Sequence, residues 1–248
     1  MSLQIGKIES RVIRDRVLDA IEKALVSGAL RPGDRVVESE IAREAGISRG
    51  PVREAIQHLV AEGILVNMPH RGTFVAHWTE GDVAETYGLR ALLESYAARL
   101  AMGRMTPEQM ADLDAMASEM FARAQDGDAA AVFELDLQFH HRLYELSGHS
   151  LLRRTLAELW RRISMLVNFD ATTSPDLLEY AKNHRMLFDA LRTGNSGDVE
   201  RVFREHIVSV GDALIRRMRE EHELLEEKGS VQRVAVPIAS AETRAALE

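Results

Sequence analysis

Residues 38–75, ESEIAREAGISRGPVREAIQHLVAEGILVNMPHRGTFV, constrain the fold of this chain more than any other stretch. Apolar residues at Ile41, Ala42 and Ala45 follow a helical period, and Gly46 stands where a helix ends in a left-handed residue. Ile47 is placed to pack back between two helices. Ser48 suits an N-cap, and Pro51 falls in the first turn of the next helix, where a missing N–H costs nothing. Val52, Ala55, Ile56, Leu59 and Val60 form that helix's buried stripe. Beyond Gly63 the pattern becomes two short β-rich runs, 64–66 and 73–75. The turn between them carries Pro69, His70, Arg71 and Gly72. The stretch therefore reads as helix, tight turn, helix and a two-stranded wing with a basic tip.

A helix–turn–helix alone is compatible with roles other than DNA binding, and a pair of arginines is commonly a solvated face. The wing, the Ser-Arg-x-Pro start and the basic tip together favour a DNA-reading head. Arg49 and Arg53 are four residues apart, so they share a face near the N-terminal end of the second helix. A recognition helix enters the major groove with those residues first, and arginine pairs bidentately with guanine O6 and N7. Arg43 on the first helix is placed for a phosphate, and Arg71 and Gly72 at the wing tip for the backbone or minor groove. The expected DNA-contacting set is Arg43, Ser48, Arg49, Arg53, Arg71 and Gly72.

The run SRGPVREAIQHLVAEGILVNMPHRGTFV resembles the winged-helix domain of the GntR family of bacterial regulators, whose pattern is roughly SR-x-PVREAL-x-x-L-x-x-EGL followed by P-x-RG-x-x-V. The lead-in GALRPGDRVVE resembles it too. The resemblance implies that Arg49 and Arg53 contact operator guanines and that Gly72 meets the minor groove. The chain departs from the pattern at Ser39, where many members carry an arginine that also touches DNA. A serine can bond a phosphate but cannot replace a guanidinium, so the resemblance carries the DNA-binding activity over to this chain but not the exact operator.

The charge balance supports a sparse interface. The chain carries a net charge of −8, yet residues 1–76 hold 11 Lys/Arg against 10 Asp/Glu, and the remainder holds 20 against 29. The head is thus not a polybasic clamp. Binding has to rest on a few placed arginines and on two heads acting together, and the acidic remainder helps turn the heads toward DNA. There is no cysteine, hence no disulfide or thiolate metal site. The absence of a long apolar run and of a signal-peptide pattern leads to the expectation of a cytoplasmic protein with no membrane partner.

Ahead of the head, an amphipathic helix is expected over residues 8–27, with Val12, Ile13, Val17, Ile21, Ala24 and Leu25 inward. A short strand at 35–37 can pair with the wing. Residues 77–80 read as a short linker between a head at 1–76 and a second domain at 81–227. That domain shows helices and no strand signal. Helices are expected at 82–104, to 125 after the Thr106–Pro107 start, 128–147, 150 to about 170, 175–192 and 196–226. The fold class is mainly α, a winged helix-turn-helix followed by an all-α six-helix (or seven-helix) antiparallel bundle. Residues 228–248 lack a sustained apolar face and read as a disordered tail.

A second constellation lies in the bundle. Asp136 and His140 are four apart on one helix face, and His184 and His206 sit among apolar residues of two later helices. An inward histidine is costly unless hydrogen-bonded or ligated. Such residues can be satisfied core groups. They can also converge, and three imidazoles with one carboxylate suit Zn, Ni, Mn or Fe with positions left open.

Residues 81 to about 225 resemble the FCD domain of the FadR-like branch of the same family. The resemblance rests on Arg90-x-x-x-Glu94, on FELDLQFHHRLYELSGH, on the run from His184 to Leu191, and on His206. It implies that Asp136, His140, His184 and His206 bind a divalent transition metal, Zn before Ni, Mn or Fe, which helps hold a small organic acid. Arg90 is the expected reader of the acid's carboxylate, or else it forms a helix-surface ion pair with Glu94. Arg161, Arg162 and Asn168 are further candidates for the cavity, with Asn168 favoured.

The resulting expectation is a non-enzymatic regulator, most often a repressor in this family. It would act as a homodimer on a palindromic operator of double-stranded DNA, controlled by a metal-bound carboxylate metabolite. The alternatives are a pure metal sensor and a metal-dependent hydrolase fused to a DNA-binding head.

Overall fold

The computed structural model describes residues 9–26, 29–173 and 176–227. The expected tail at 228–248 lies outside the described residues. The elements are α1 (Glu9–Val26), β1 (Arg35–Val36), α2 (Glu38–Ala45), α3 (Arg49–Ala61), β2 (Leu65–Met68), β3 (Gly72–Val75), α4 (Glu80–Met102), α5 (Pro107–Gln125), α6 (Ala129–Leu146), α7 (Ser150–Thr173), α8 (Leu177–Thr193) and α9 (Ser196–Glu227). They fall into two compact units that divide between Thr79 and Glu80. The short connection read at 77–80 is shorter still, because α4 starts at Glu80 rather than 82.

In the first unit, α1 packs on α3 and α2 packs beside it. Val17, Leu18, Ile21, Ala42, Val52, Ala55, Ile56 and Leu59 are buried. Three expectations need correction here. Val12 is 56% exposed, whereas Leu18, which was not expected inward, is buried. Ala45, the last residue of α2, is exposed. Val60, at the margin of the α3 stripe, is only half-buried. Gly46 ends α2 at φ 65°, and the Ile47 N–H donates back to the Ala42 carbonyl over 3.0 Å. The wing forms as expected. β3 is the central strand, antiparallel to β2 and to β1, with Leu65 opposite Val75 and Arg35 opposite Phe74.

The second unit is helical throughout, α4–α9. Helix α4 lies along α9, α5 packs on α6 and α8, and α6 packs on α4 and α7. Helix α5 begins in a full capping box. Thr106 Oγ1 accepts from the Gln109 N–H, and the Gln109 side chain accepts from the Thr106 N–H. Helix α7 runs to Thr173, a few residues beyond the expected stop near 170. One apolar cluster joins α4, α5, α6, α8 and α9 through Ala98, Leu113, Phe139, Leu187 and Phe203. A second joins α5–α8 through Met120, Phe133, Ile163 and Ala181. The polar constellation lies at the border of these clusters: Phe139, in the first, has its ring centroid 5.8 Å from those of both His140 and His184.

Candidate functional site

In the head, Arg43, Ser48, Arg49, Arg53 and Arg71 are all exposed. Ser48 has the extended backbone of an N-cap, φ −71° and ψ 158°, but its hydroxyl caps no N–H. The expected capping bond is absent. Arg53 is held. Its Nε donates to Glu38 Oε2 over 3.0 Å and its Nη2 to Glu38 Oε1 over 2.9 Å.

At the wing tip, Gly72 has φ +106°, which favours glycine, and a Cβ there would come 3.1 Å from Arg35 Nε. Arg35 is a cation beside the wing tip that the motif reading passed over. The signal was present in its position at the start of the strand expected to pair with the wing. Arg71 lies with its guanidinium carbon 6.0 Å from the Phe74 ring centre.

In the bundle, three helices bring the expected four residues together. One ligand atom from each of His140, His184 and His206 lies within 4.8 Å of the others. Asp136 Oδ1 is 2.7 Å from His184 Nε2 and 3.6 Å from His140 Nε2. Asp136, His140 and His184 are each at most 1% exposed. His206 is half-buried as a residue, but its ring stacks on that of His140, with centroids 5.8 Å apart and 13° between planes.

The partners of the ring nitrogens decide what the site can do. His184 Nδ1 lies 3.1 Å from the Tyr180 carbonyl. A carbonyl only accepts, so Nδ1 carries the proton and Nε2 is turned to Asp136. His140 Nδ1 lies 2.7 Å from Glu94 Oε2, although the angles are not those of a hydrogen bond. A carbonyl behind His184 and a carboxylate beside His140 are of the kind that fixes the tautomer and orientation of histidine metal ligands. Asp136 Oδ2 and His140 Nε2 are buried without a hydrogen-bond partner.

Electrostatics agree with this geometry. Burial pushes the Asp136 carboxyl up, but the bond to His184 and the charges of His184, His140 and Arg90 outweigh it. Its pKa lies below the usual carboxylate range. Burial, reinforced by His184 and His140, holds His206 far below the ordinary histidine value, so it is a neutral imidazole.

Arg90 is 2% exposed, and its Nε donates to Glu94 Oε1 over 2.6 Å. The i,i+4 pair expected of a helix surface thus exists but is buried, because α4 is enclosed by α6 and α9. The Tyr144 hydroxyl donates to the same Glu94 oxygen. Burial tends to raise the Glu94 pKa, yet Arg90 and then His140 bring it below the ordinary value. Glu94, Tyr144 and Tyr180 are functional candidates that motif reading left without a role at the site. The signal for the two tyrosines was helical spacing, since Tyr144 is four residues after His140 and Tyr180 four before His184; the place of Glu94 behind His140 had none. Arg162 pairs with Asp82 at 3.7 Å. Asn168 lies in α7, and its side chain is outside the described residues.

Ionised groups cost several kcal/mol each to bury, more than an apolar replacement of the same shape would. A bundle layer holding Arg90, Glu94, Asp136, His140 and His184 is therefore a poor device for stability alone. It is a site.

Residues 13–75 match the gntR family of bacterial regulatory proteins, and residues 85–209 match the FCD domain. The HTH-type transcriptional regulator McbR of Escherichia coli is 26% identical over 189 residues, spanning 75% of this chain and 86% of McbR. The HTH-type transcriptional repressor RspR of Escherichia coli is 24% identical over 224 residues, 90% of this chain and 97% of RspR. The solved structure of Escherichia coli McbR superposes with a TM-score of 0.71 at 23% identity, covering 84% of this chain and 98% of that one, a likeness of fold.

Proposed function

The chain belongs to the GntR family of bacterial regulators, in the branch carrying an FCD domain, and from that premise we propose that a small carboxylate, held with a divalent transition metal in the helical unit, sets its affinity for an operator. It is a DNA-binding transcriptional regulator. Its mode is repression, as the name of the relative RspR states for that protein.

One observation carries the metal reading. His184 donates its Nδ1 proton to a carbonyl and turns Nε2 to an Asp136 oxygen 2.7 Å away. That contact needs a cation, either a second proton on the ring or a metal. Asp136 Oδ2 and His140 Nε2, buried and unpartnered at the same place, favour the metal. Asp136, His140, His184 and His206 would hold the ion, and a metal there would supply Lewis-acid coordination of a carboxylate in its remaining positions. Zn is the first candidate, with Ni, Mn and Fe behind it. Arg90, the buried cation on α4, is the residue we assign to the effector's carboxylate, through the N–H groups that Glu94 does not take.

The ligand controls DNA binding to the extent that it binds one arrangement of a homodimer better than another. Elemental analysis with Zn and Ni titration of the chelator-stripped protein tests the site. One metal per chain is expected, with uptake lost in His184→Ala while specific DNA binding by the head persists. Absence of uptake by the unaltered protein would reduce the four residues to polar core groups. Operator binding that follows Zn concentration with no organic acid present would make the metal itself the signal.

A further inference from the structure

We infer that Glu38 is a positioning residue for DNA readout, which presents Arg53 to a base and sharpens discrimination between sequences. The inference rests on the reading of α3 as the recognition helix. Glu38 is the first residue of α2 and Arg53 the fifth of α3. They meet across the turn through two parallel bonds of 3.0 and 2.9 Å, the fork-to-fork geometry of arginine and carboxylate. The pair is open to solvent, with the Arg53 side chain 61% and the Glu38 side chain 26% exposed. Exposed ion pairs contribute little to stability, and α2 and α3 are already joined by buried Ala42, Val52, Ala55 and Ile56. The consequence of the pair is the direction in which the guanidinium points.

A guanidinium has five N–H groups. Glu38 takes one from Nε and one from Nη2, so the outer edge, with both N–H groups of Nη1 and the second of Nη2, stays available. Two donors side by side on that edge match guanine O6 and N7. A free arginine gives up much rotamer freedom when it docks. One already held by Glu38 has less to lose, and it reaches fewer off-target acceptors.

The carboxylate has a second effect. It sets a negative charge beside a reading arginine in a head whose acidic and basic residues nearly balance. That weakens attraction to phosphates, the part of binding that ignores sequence. Both effects raise the ratio of specific to non-specific affinity.

The contrary possibility is a latch, in which DNA must first displace Glu38 from Arg53. The two readings predict opposite results. The full chain, with Glu38→Gln, Glu38→Ala, Arg53→Ala and the Glu38→Ala/Arg53→Ala double variant, would be put through selection on a randomised double-stranded 20-base-pair library (length about two helical turns). The best duplex and a scrambled one would then be titrated by fluorescence anisotropy at several salt concentrations, with circular dichroism melts to verify folding.

Either Glu38 variant should bind the selected duplex about threefold to tenfold more weakly, the worth of roughly one hydrogen bond. It should bind the scrambled duplex as well or better, with a weakened preference for guanine at one position of each half-site. In the Arg53→Ala background the Glu38 change should leave base preference unaltered. A Glu38→Ala protein that tightens on both duplexes by the same factor, with base preferences intact, is a latch and overturns the inference, as does an unchanged ratio. If Arg53→Ala keeps the full guanine preference, the recognition-helix reading fails and takes the inference with it. If Arg53→Ala loses that preference while Glu38→Ala keeps it, only the inference fails.

Discussion

Among single residues, the tyrosines around the bundle site report its dryness. Burial pushes the Tyr87 hydroxyl up to about 12, and Tyr144 and Tyr180 lie well above the ordinary tyrosine value, again through burial first and then through Glu94 and Asp136 respectively. A folded-state value above the unfolded one contributes stability that is fully present below about pH 10 and is lost as pH rises through the folded-state values. Ultraviolet titration of the native protein should therefore leave at least three of its four tyrosines protonated near pH 11, and stability should fall steeply above that. Three tyrosines ionising reversibly near pH 10 with the fold intact would show that water reaches this layer. The residues of the layer were unevenly legible. Asp136 and His140 share a helix face by arithmetic, and the motif drew in His184 and His206. Glu94 behind His140 was not legible, because that contact depends on how α4 packs against α6, across 46 residues of sequence.

Between elements, α9 and α4 approach closely at Gly211. A Cβ there would come 2.7 Å from the Tyr87 Cβ and 2.9 Å from its Cγ, so α9 and α4 meet nearly backbone to side-chain root. Helix propensity alone would favour Gly211→Ala by about 1 kcal/mol. The clash falls on atoms that cannot swing aside, and overpacking of this kind costs about 1–3 kcal/mol. The clash should win, so the melting temperature of the helical unit should fall rather than rise. Because Tyr87 lies 5.3 Å under the Arg90 guanidinium, metal uptake should weaken with it. A stabilised Gly211→Ala protein would mean that α4 and α9 have room to part. The helices themselves were legible from caps and stops, such as the Thr106 box and Gly46. Ends that lack such a marker drifted by a few residues, as α4 and α7 did. Gly211 carried no readable signal, since a glycine inside a helix declares nothing about the neighbour that demands it.

For the whole molecule, the near-neutral head and acidic remainder make one head a weak DNA ligand, so operator binding should require two. Sedimentation of the 27.7 kDa chain should give a dimer. Selected DNA should show two half-sites related by a two-fold axis, and a duplex carrying a single half-site should bind at least tenfold more weakly, since linked heads gain effective concentration. A monomer that reads a single half-site with full affinity would defeat this arrangement. Among the described residues no helix is long and apolar enough to cross a membrane. The sequence by itself determined the two-unit order, the winged helix-turn-helix, the run of helices after it and the identity of four polar residues. Those features are written in local periods, caps and motifs that act within a few residues. Only the tertiary structure decided that Glu38 grips Arg53, that Arg35 stands beside Gly72, that the Arg90–Glu94 pair is buried and that Glu94 backs His140. Three of these are meetings of side chains from different elements, and the burial of Arg90 and Glu94 comes from the helices that cover α4; all are fixed by packing, and packing has no local signature.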